Sequence, residues 1–418
     1  MKDNLTRANT FLTSPRRFSK RVTEKVRQLG APEKRLLEVP GFLRRDDSSE
    51  GSPANIEKIL DTLVAFPTVT DDLGANHIAL SYIARYLQKR GMYVERFEPT
   101  AKHYEVLLAS TRKNNAKNPL VLLCAHIDVV HADEELFIMR KTDDKYLGRG
   151  VYDMKCAISS YMKVVDELQD CLQEYDFAIL LTSDEEISGR DGVSGVREMV
   201  AAGTLPQVVV LPDGGRDWQL ESSANGYMHY RLEAHGKSGH GSRPWEGENA
   251  IMKLSAALHG LREHFGENGP DADTINIGAI EGGEVANKIP SYARAEVSMR
   301  LHHTSSRKRL EALVEGLCQK HDIVATLRTA WEPTFNDLNN HFIRDFSACV
   351  QEITDIKVTG IRSLGGSDAR FFQEAGVPCV VFYPLGGGHH SAEEWLDARS
   401  LEQLPQILRL YLDRIAKR

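Results

Sequence analysis

The chain has no apolar run approaching the roughly 20 residues that a helix needs to span a bilayer. Its N-terminus has no apolar core of the secretory type, so export is not expected. Six cysteines (Cys124, Cys156, Cys171, Cys318, Cys349, Cys379) form no C-x-x-C pair, which argues against a disulfide framework or a cysteine zinc site and for reduced thiols in the cytoplasm. No G-x-G-x-x-G opens a helix after the first strand, so Gly386-Gly387-Gly388 is weak support for nucleotide binding, and no nucleic-acid partner is expected. Internal repeats and low-complexity segments are also lacking. What remains is ordinary for a globular protein: 418 residues, 41% hydrophobic and 27% charged, enough for two or three domains with substantial cores.

The net charge of −7 is unevenly spread. Residues 1–45 carry twelve Lys/Arg against four Asp/Glu, a net of +8, which leaves −15 on the rest. Phe18, Val22, Val26 and Leu29 recur there at helical spacing before Gly30 and Pro32. Two readings stand: an arm that docks an acidic partner or membrane surface, or a short helix or tail lying against its own acidic body. Asp3, Glu24 and Glu33 do not suit a mitochondrial transit peptide.

Residues 46–53 read as a linker, with Ser52 as N-cap and Pro53 at the first helical position. Ile56, Leu60 and Leu63 mark one helix face, and Ile78, Tyr82 and Leu87 mark a second helix that stops at Gly91. Apolar strands are expected at 104–109, 120–125, 177–182 and 207–211, with helices near 156–172 and 193–202. Strands apolar almost throughout, alternating with helices, predict a mostly parallel sheet covered on both faces. From about residue 224 the texture changes to β-α-β-β-α-β: strands at 227–234, 273–280, 291–302 and 322–329, with helices at 247–265 and 304–319. That order matches the ferredoxin-like sandwich. Helix 341–353 and strand 379–383 then return to the first texture. The reading is an α/β chain: arm and linker at 1–50, catalytic domain at 51–223 and 333–418, and an inserted α+β domain at 224–332.

The chemistry gathers at strand ends. His126 and Asp128 follow strand 120–125, Asp153 lies on the glycine-rich turn after Gly148-Arg149-Gly150, Glu185 and Glu186 follow 177–182, Asp213 follows 207–211, and His390 follows 379–383. Open α/β sheets bind ligands beyond those ends, where loops distant in sequence converge. Clustered carboxylates repel one another and need a cation, and this mixture of imidazole and carboxylate suits zinc. Three protein ligands per ion would leave a position for a shared water. Of the adjacent pair, one glutamate can ligate while its neighbour moves the water proton. Asp128, two residues past His126, is placed to orient that imidazole, or else simply caps the strand end.

Ala125-His126-Ile127-Asp128 and Gly148-Arg149-Gly150 through Asp153-Met154-Lys155 resemble the two ligand motifs of the dinuclear zinc amidohydrolases, the family of aminoacylases, acetylornithine deacetylase, succinyl-diaminopimelate desuccinylase and bacterial glutamate carboxypeptidases. The resemblance runs from about residue 53 to 415. It implies two zinc ions per chain, with cobalt or manganese as substitutes: His126 and Asp213 on one, Glu186 and His390 on the other, and Asp153 bridging. It also implies Glu185 as general base and a cis peptide after Asp153. His390, not His389, has the family's spacing to Glu394-Trp395-Leu396. Gly239-His240-Gly241 resembles the lid motif whose histidine steadies the oxyanion, often from the partner of a homodimer. Asn287 and Arg300 resemble positions that hold the substrate carboxylate, a task a planar guanidinium suits; a surface salt bridge is the other reading of Arg300. Gly366 and Ser367 would line the same pocket. Cys156 stands where a glycine is usual, Ser298 where an acid is common, and Gly366 where a threonine is frequent. The expectation is a metallohydrolase cleaving an amide bond beside a free carboxylate in a small peptide or N-acyl amino acid. A non-catalytic metal- or ligand-binding homologue of the same fold is the competing reading, and nothing separates peptidase from deacylase.

Overall fold

A computed structural model describes residues 55–97, 104–188, 194–266 and 269–418. The basic arm, the linker and the expected Ser52 cap lie outside the described residues. Helix α1 (Ile56–Val64) starts behind Asn55, whose side chain accepts the Glu57 N–H, and it buries Ile59, Leu60, Leu63 and Val64. Asp72 caps α2 (Leu73–Lys89) in the same way.

β1 (Tyr93–Phe97), β2 (Val106–Ser110) and β3 (Val121–His126) follow. The short β4 (Arg140–Lys141) and β5 (Lys145–Leu147) lead to α3 (Lys155–Leu168). β6 (Phe177–Thr182), α4 (Gly195–Ala201) and β7 (Val208–Leu211) complete the first half of the large body. β2, β3, β6 and β7 are buried at every position, as strands covered on both faces must be.

β8 (Leu220–Ala224) runs into the second body: β9 (Gly226–His235), α5 (Ala250–Phe265), β10 (Thr274–Gly282), β11 (Tyr292–Leu301), α6 (Ser306–His321) and β12 (Ile323–Trp331). Its sheet is antiparallel in the order β10-β11-β9-β12, the ferredoxin-like arrangement. β9 alternates buried and half-buried positions because one face packs on α5 and α6, giving this body a core of its own.

The chain returns through β13 (Thr334–Phe335), α7 (His341–Thr354), β14 (Gly360–Ser363), α8 (Ala369–Glu374), β15 (Cys379–Val381), β16 (Gly386–Gly387), β17 (Trp395–Asp397) and α9 (Ala398–Ile415). The large sheet has the order β1-β2-β6-β3-β7-β15, and β6, β3, β7 and β15 run parallel. β2 is the reversed strand, antiparallel to both β1 and β6, so five of the six strands share one direction. Two small sheets frame the site: β13-β8-β14 joins the two bodies, and β16-β17-β5-β4 backs the turn before Asp153. No described helix is long and apolar enough to cross a membrane.

Candidate metal centre

β3 ends on His126, whose ring Nδ1 lies 2.9 Å from the Asp128 backbone oxygen. That geometry puts the proton on Nδ1 and turns the Nε2 lone pair toward the neighbouring strand ends. The Asp128 carboxylate is farther from Nδ1, at 3.6 Å, and has other partners. It accepts the Glu185 and Glu186 N–H groups at 3.3 and 3.2 Å and the Thr70 hydroxyl at 2.8 Å. Asp128 therefore meets the imidazole most closely through its main-chain oxygen. Its carboxylate fixes the backbone of the two glutamates beyond β6.

Asp153 is held by a clamp. Glu394, 2% exposed, accepts Arg149 Nη1 at 2.6 Å and the backbone N–H groups of Gly150, Tyr152 and Asp153 at 3.0, 3.0 and 3.1 Å. Gly150 has φ +83, and a Cβ there would stand 2.9 Å from Lys155 Cδ, so glycine is required on both counts. The Asp153–Met154 peptide is cis.

Around this turn two triads form: His126 with Asp153 and Asp213, and Asp153 with Glu186 and His390, the ligand-type atoms of each lying within 4.8 Å of one another. Asp153 belongs to both. Its Oδ1 is 3.3 Å from His126 Nε2 and its Oδ2 is 3.3 Å from His390 Nε2, which also lies 2.9 Å from Glu186. Ligands about 2.0–2.1 Å from a tetrahedral zinc stand about 3.4 Å apart, so these separations fit an ion on each side. His126 Nε2 and Asp213 Oδ2 are buried without hydrogen-bond partners, and a cation would satisfy both. His390 takes a left-handed backbone (φ 64) that is uncommon for a residue with a side chain. His389 instead lies 6.1 Å from the ring centroids of Tyr152 and Tyr383.

The electrostatics point the same way. Burial, then the negative charge of Asp213, pushes the half-buried Glu185 well above the usual carboxylate range. Burial also raises Asp213, partly offset by His126. Burial opposes charge on His126, but the nearby Asp128 and Asp153 carboxylates together carry it up. The bond to Asp153 comes first in raising His390 to about 10. Carboxyls reluctant to ionise and imidazoles drawn to protonate mark a cluster short of positive charge.

Among the described residues, the remaining expected ones make no hydrogen bond or ion pair to this cluster. Ser367 is buried, and Gly366 faces Trp331, whose Nε1 would be 3.0 Å from a Cβ there. Arg300 stacks over the Tyr227 ring at 4.6 Å, and among the described residues no ion pair joins it to a carboxylate. His240 is exposed, with Nδ1 2.7 Å from Ser242 Oγ, and the adjacent Gly241 N–H donates to the Asn287 oxygen at 2.7 Å. Among the described residues neither His240 nor Asn287 bonds to the cluster. Sequence reading missed Thr70, the clamping role of Glu394, and Tyr383. Tyr383 OH lies 2.7 Å from Asp213 Oδ1 and 3.2 Å from Asp153 Oδ1. Its signal was faint: a hydroxyl two residues past an apolar strand beside the one that precedes Asp213.

Residues 122–414 match the model of peptidase family M20/M25/M40. Succinyl-diaminopimelate desuccinylase of Granulibacter bethesdensis is 27% identical over 381 residues, 85% of this chain and 96% of that one. Among solved structures, an M20 family metallo-carboxypeptidase of Sulfolobus solfataricus superposes with a TM-score of 0.70 at 15% identity, covering 86% of this chain and 98% of that one. A di-peptidase of Saccharomyces cerevisiae gives 0.68 at 16%, covering 94% and 98%. These two share the fold with the chain. With the family model spanning both triads, the chain belongs to the M20/M25/M40 peptidase family and is a hydrolase of amide bonds.

Proposed function

We propose that the chain hydrolyses an amide bond beside a free carboxylate in small substrates, with two zinc ions held by His126 and Asp213, by Glu186 and His390, and by the shared Asp153. One observation carries this: the two oxygens of Asp153 each face a different histidine nitrogen at 3.3 Å. Ions bound there would acidify an attacking water and neutralise the developing oxyanion. Glu185, set by the Asp128 carboxylate through its backbone N–H, takes the water proton and returns it to the leaving nitrogen. A half-buried Arg300 whose ring partner leaves its charge unpaired is supplied with what a substrate carboxylate needs. His240 and Asn287, neighbours on the rim of the small body, would close over the substrate from a second subunit.

The desuccinylase relative supports an N-acyl amino acid as the substrate to try first, with dipeptides as the rival class. The test is a chelator-controlled screen of N-succinyl and N-acetyl amino acids against dipeptides, with and without residues 1–45. Glu185→Gln should keep its metal and lose turnover by about 10²–10⁴-fold. Undiminished turnover would remove the base assignment. Wild-type protein that binds no zinc, cobalt or manganese and turns over nothing would overturn the whole reading.

A further inference from the structure

We infer that Tyr383 is a positioning residue of the metal centre: its hydroxyl makes Asp213 a one-oxygen ligand. The inference rests on the two-metal reading above. β15 lies beside β7, and Tyr383 follows β15 by two residues just as Asp213 follows β7. The hydroxyl therefore meets the Asp213 loop from the adjacent strand end. It has one proton and two carboxylate oxygens in reach, Asp213 Oδ1 at 2.7 Å and Asp153 Oδ1 at 3.2 Å. The shorter contact takes the proton.

Asp213 Oδ1 is then occupied, and Oδ2 is the oxygen left buried without a partner, in the same triad as the equally unpartnered His126 Nε2. The hydroxyl thereby selects the oxygen that meets the ion. Its ring cannot drift, because it stacks on Tyr152 at 4.5 Å and 24° between planes. Tyr152 is in turn held through its N–H by Glu394. Ligand, tyrosine pair and clamp form one continuous support, as outer partners of metal ligands commonly do. The support is one-sided. The hydroxyl approaches the Asp153 oxygen near His126, not the oxygen near His390.

The test uses the full chain with Tyr383→Phe, which removes the hydroxyl and leaves the ring to stack. Chelator competition with cobalt should show two binding steps in the wild type. In the variant one step should weaken by about 10- to 100-fold while the other holds, and the visible spectrum of the weakened site should change with its coordination. Melting of the metal-free protein should not move. In an Asp213→Asn background the same change should add no further loss, because the two groups act as a unit. Two unchanged steps, equal weakening of both, or a full additional loss in the Asp213→Asn background would each overturn the inference while leaving the two-metal reading intact. A wild type without metal would overturn both.

Discussion

Glu221 brings a carboxyl into strand β8 at 2% exposure, against Gly214 on the Asp213 loop. Burial raises it from the ordinary value of 4.5 to about 7, with a Ser363 hydrogen bond opposing. Below pH 4.5 the folded and unfolded chains both hold the proton, and no stability depends on it. Between pH 4.5 and 7 the unfolded chain releases a proton that the folded chain keeps, so stability falls as pH rises. Above 7 the full cost, about 3 kcal/mol, is present. Glu221→Gln removes the ionisable group, so its melting temperature should exceed the wild type's at pH 8 and not at pH 5. Parallel melts at the two pH values check this, and an equal offset at both would show that Glu221 ionises in the fold at its ordinary pKa.

At the scale of elements, the turn from Gly148 to Asp153 has little of its own to hold it, and Glu394 on the opposite hairpin supplies the bonds. Glu394→Ala would leave the nearly buried Arg149 without its carboxylate and three N–H groups without acceptors. A buried pair broken on one side costs about 3–5 kcal/mol. The variant should melt well below the wild type, and chelator competition should show both metal steps weakened, because Asp153 serves both triads. Loss of stability with both steps intact would separate the clamp from the ligands.

The same turn shows where sequence reading stopped. His126, Glu185, Glu186 and Asp213 were legible because each lies at or just past the end of an apolar strand, and the unbroken apolar runs of β3, β6 and β7 give those ends away. The clamping by Glu394 and the contacts of Tyr383 were not, because their partners lie 170 to 245 residues away and register between distant loops leaves no periodic trace. The two- and three-residue strands β4, β5, β16 and β17 are too short to carry a pattern. β1, exposed to half-buried along its length, has no apolar run to mark it. The reversed direction of β2 escaped for another reason: burial of both faces looks the same in a parallel and an antiparallel strand.

At the scale of the molecule, β10 is a sheet edge, hydrogen-bonded to β11 on one side, and every residue from 276 to 282 is exposed. Ile280 is 61% exposed, and Val285, in the turn that follows, is 58% exposed. Met252 on α5 is similarly uncovered. A free edge carrying apolar side chains invites pairing, and a two-fold axis along it would use the same surface on both subunits. His240, on the same body and turned to solvent, would then serve the partner's metal centre. Light scattering should find a dimer, and Ile280→Lys should shift it to monomer with loss of turnover. The decisive measurement mixes two inactive variants, His240→Ala and Glu185→Ala, after mild dissociation and reassociation. If His240 acts across the interface, each mixed dimer holds one centre with an intact Glu185 and an intact His240 from the other chain. Random pairing should then restore roughly a quarter of wild-type turnover. If His240 serves its own chain, every centre lacks one group or the other, and the mixture stays inactive.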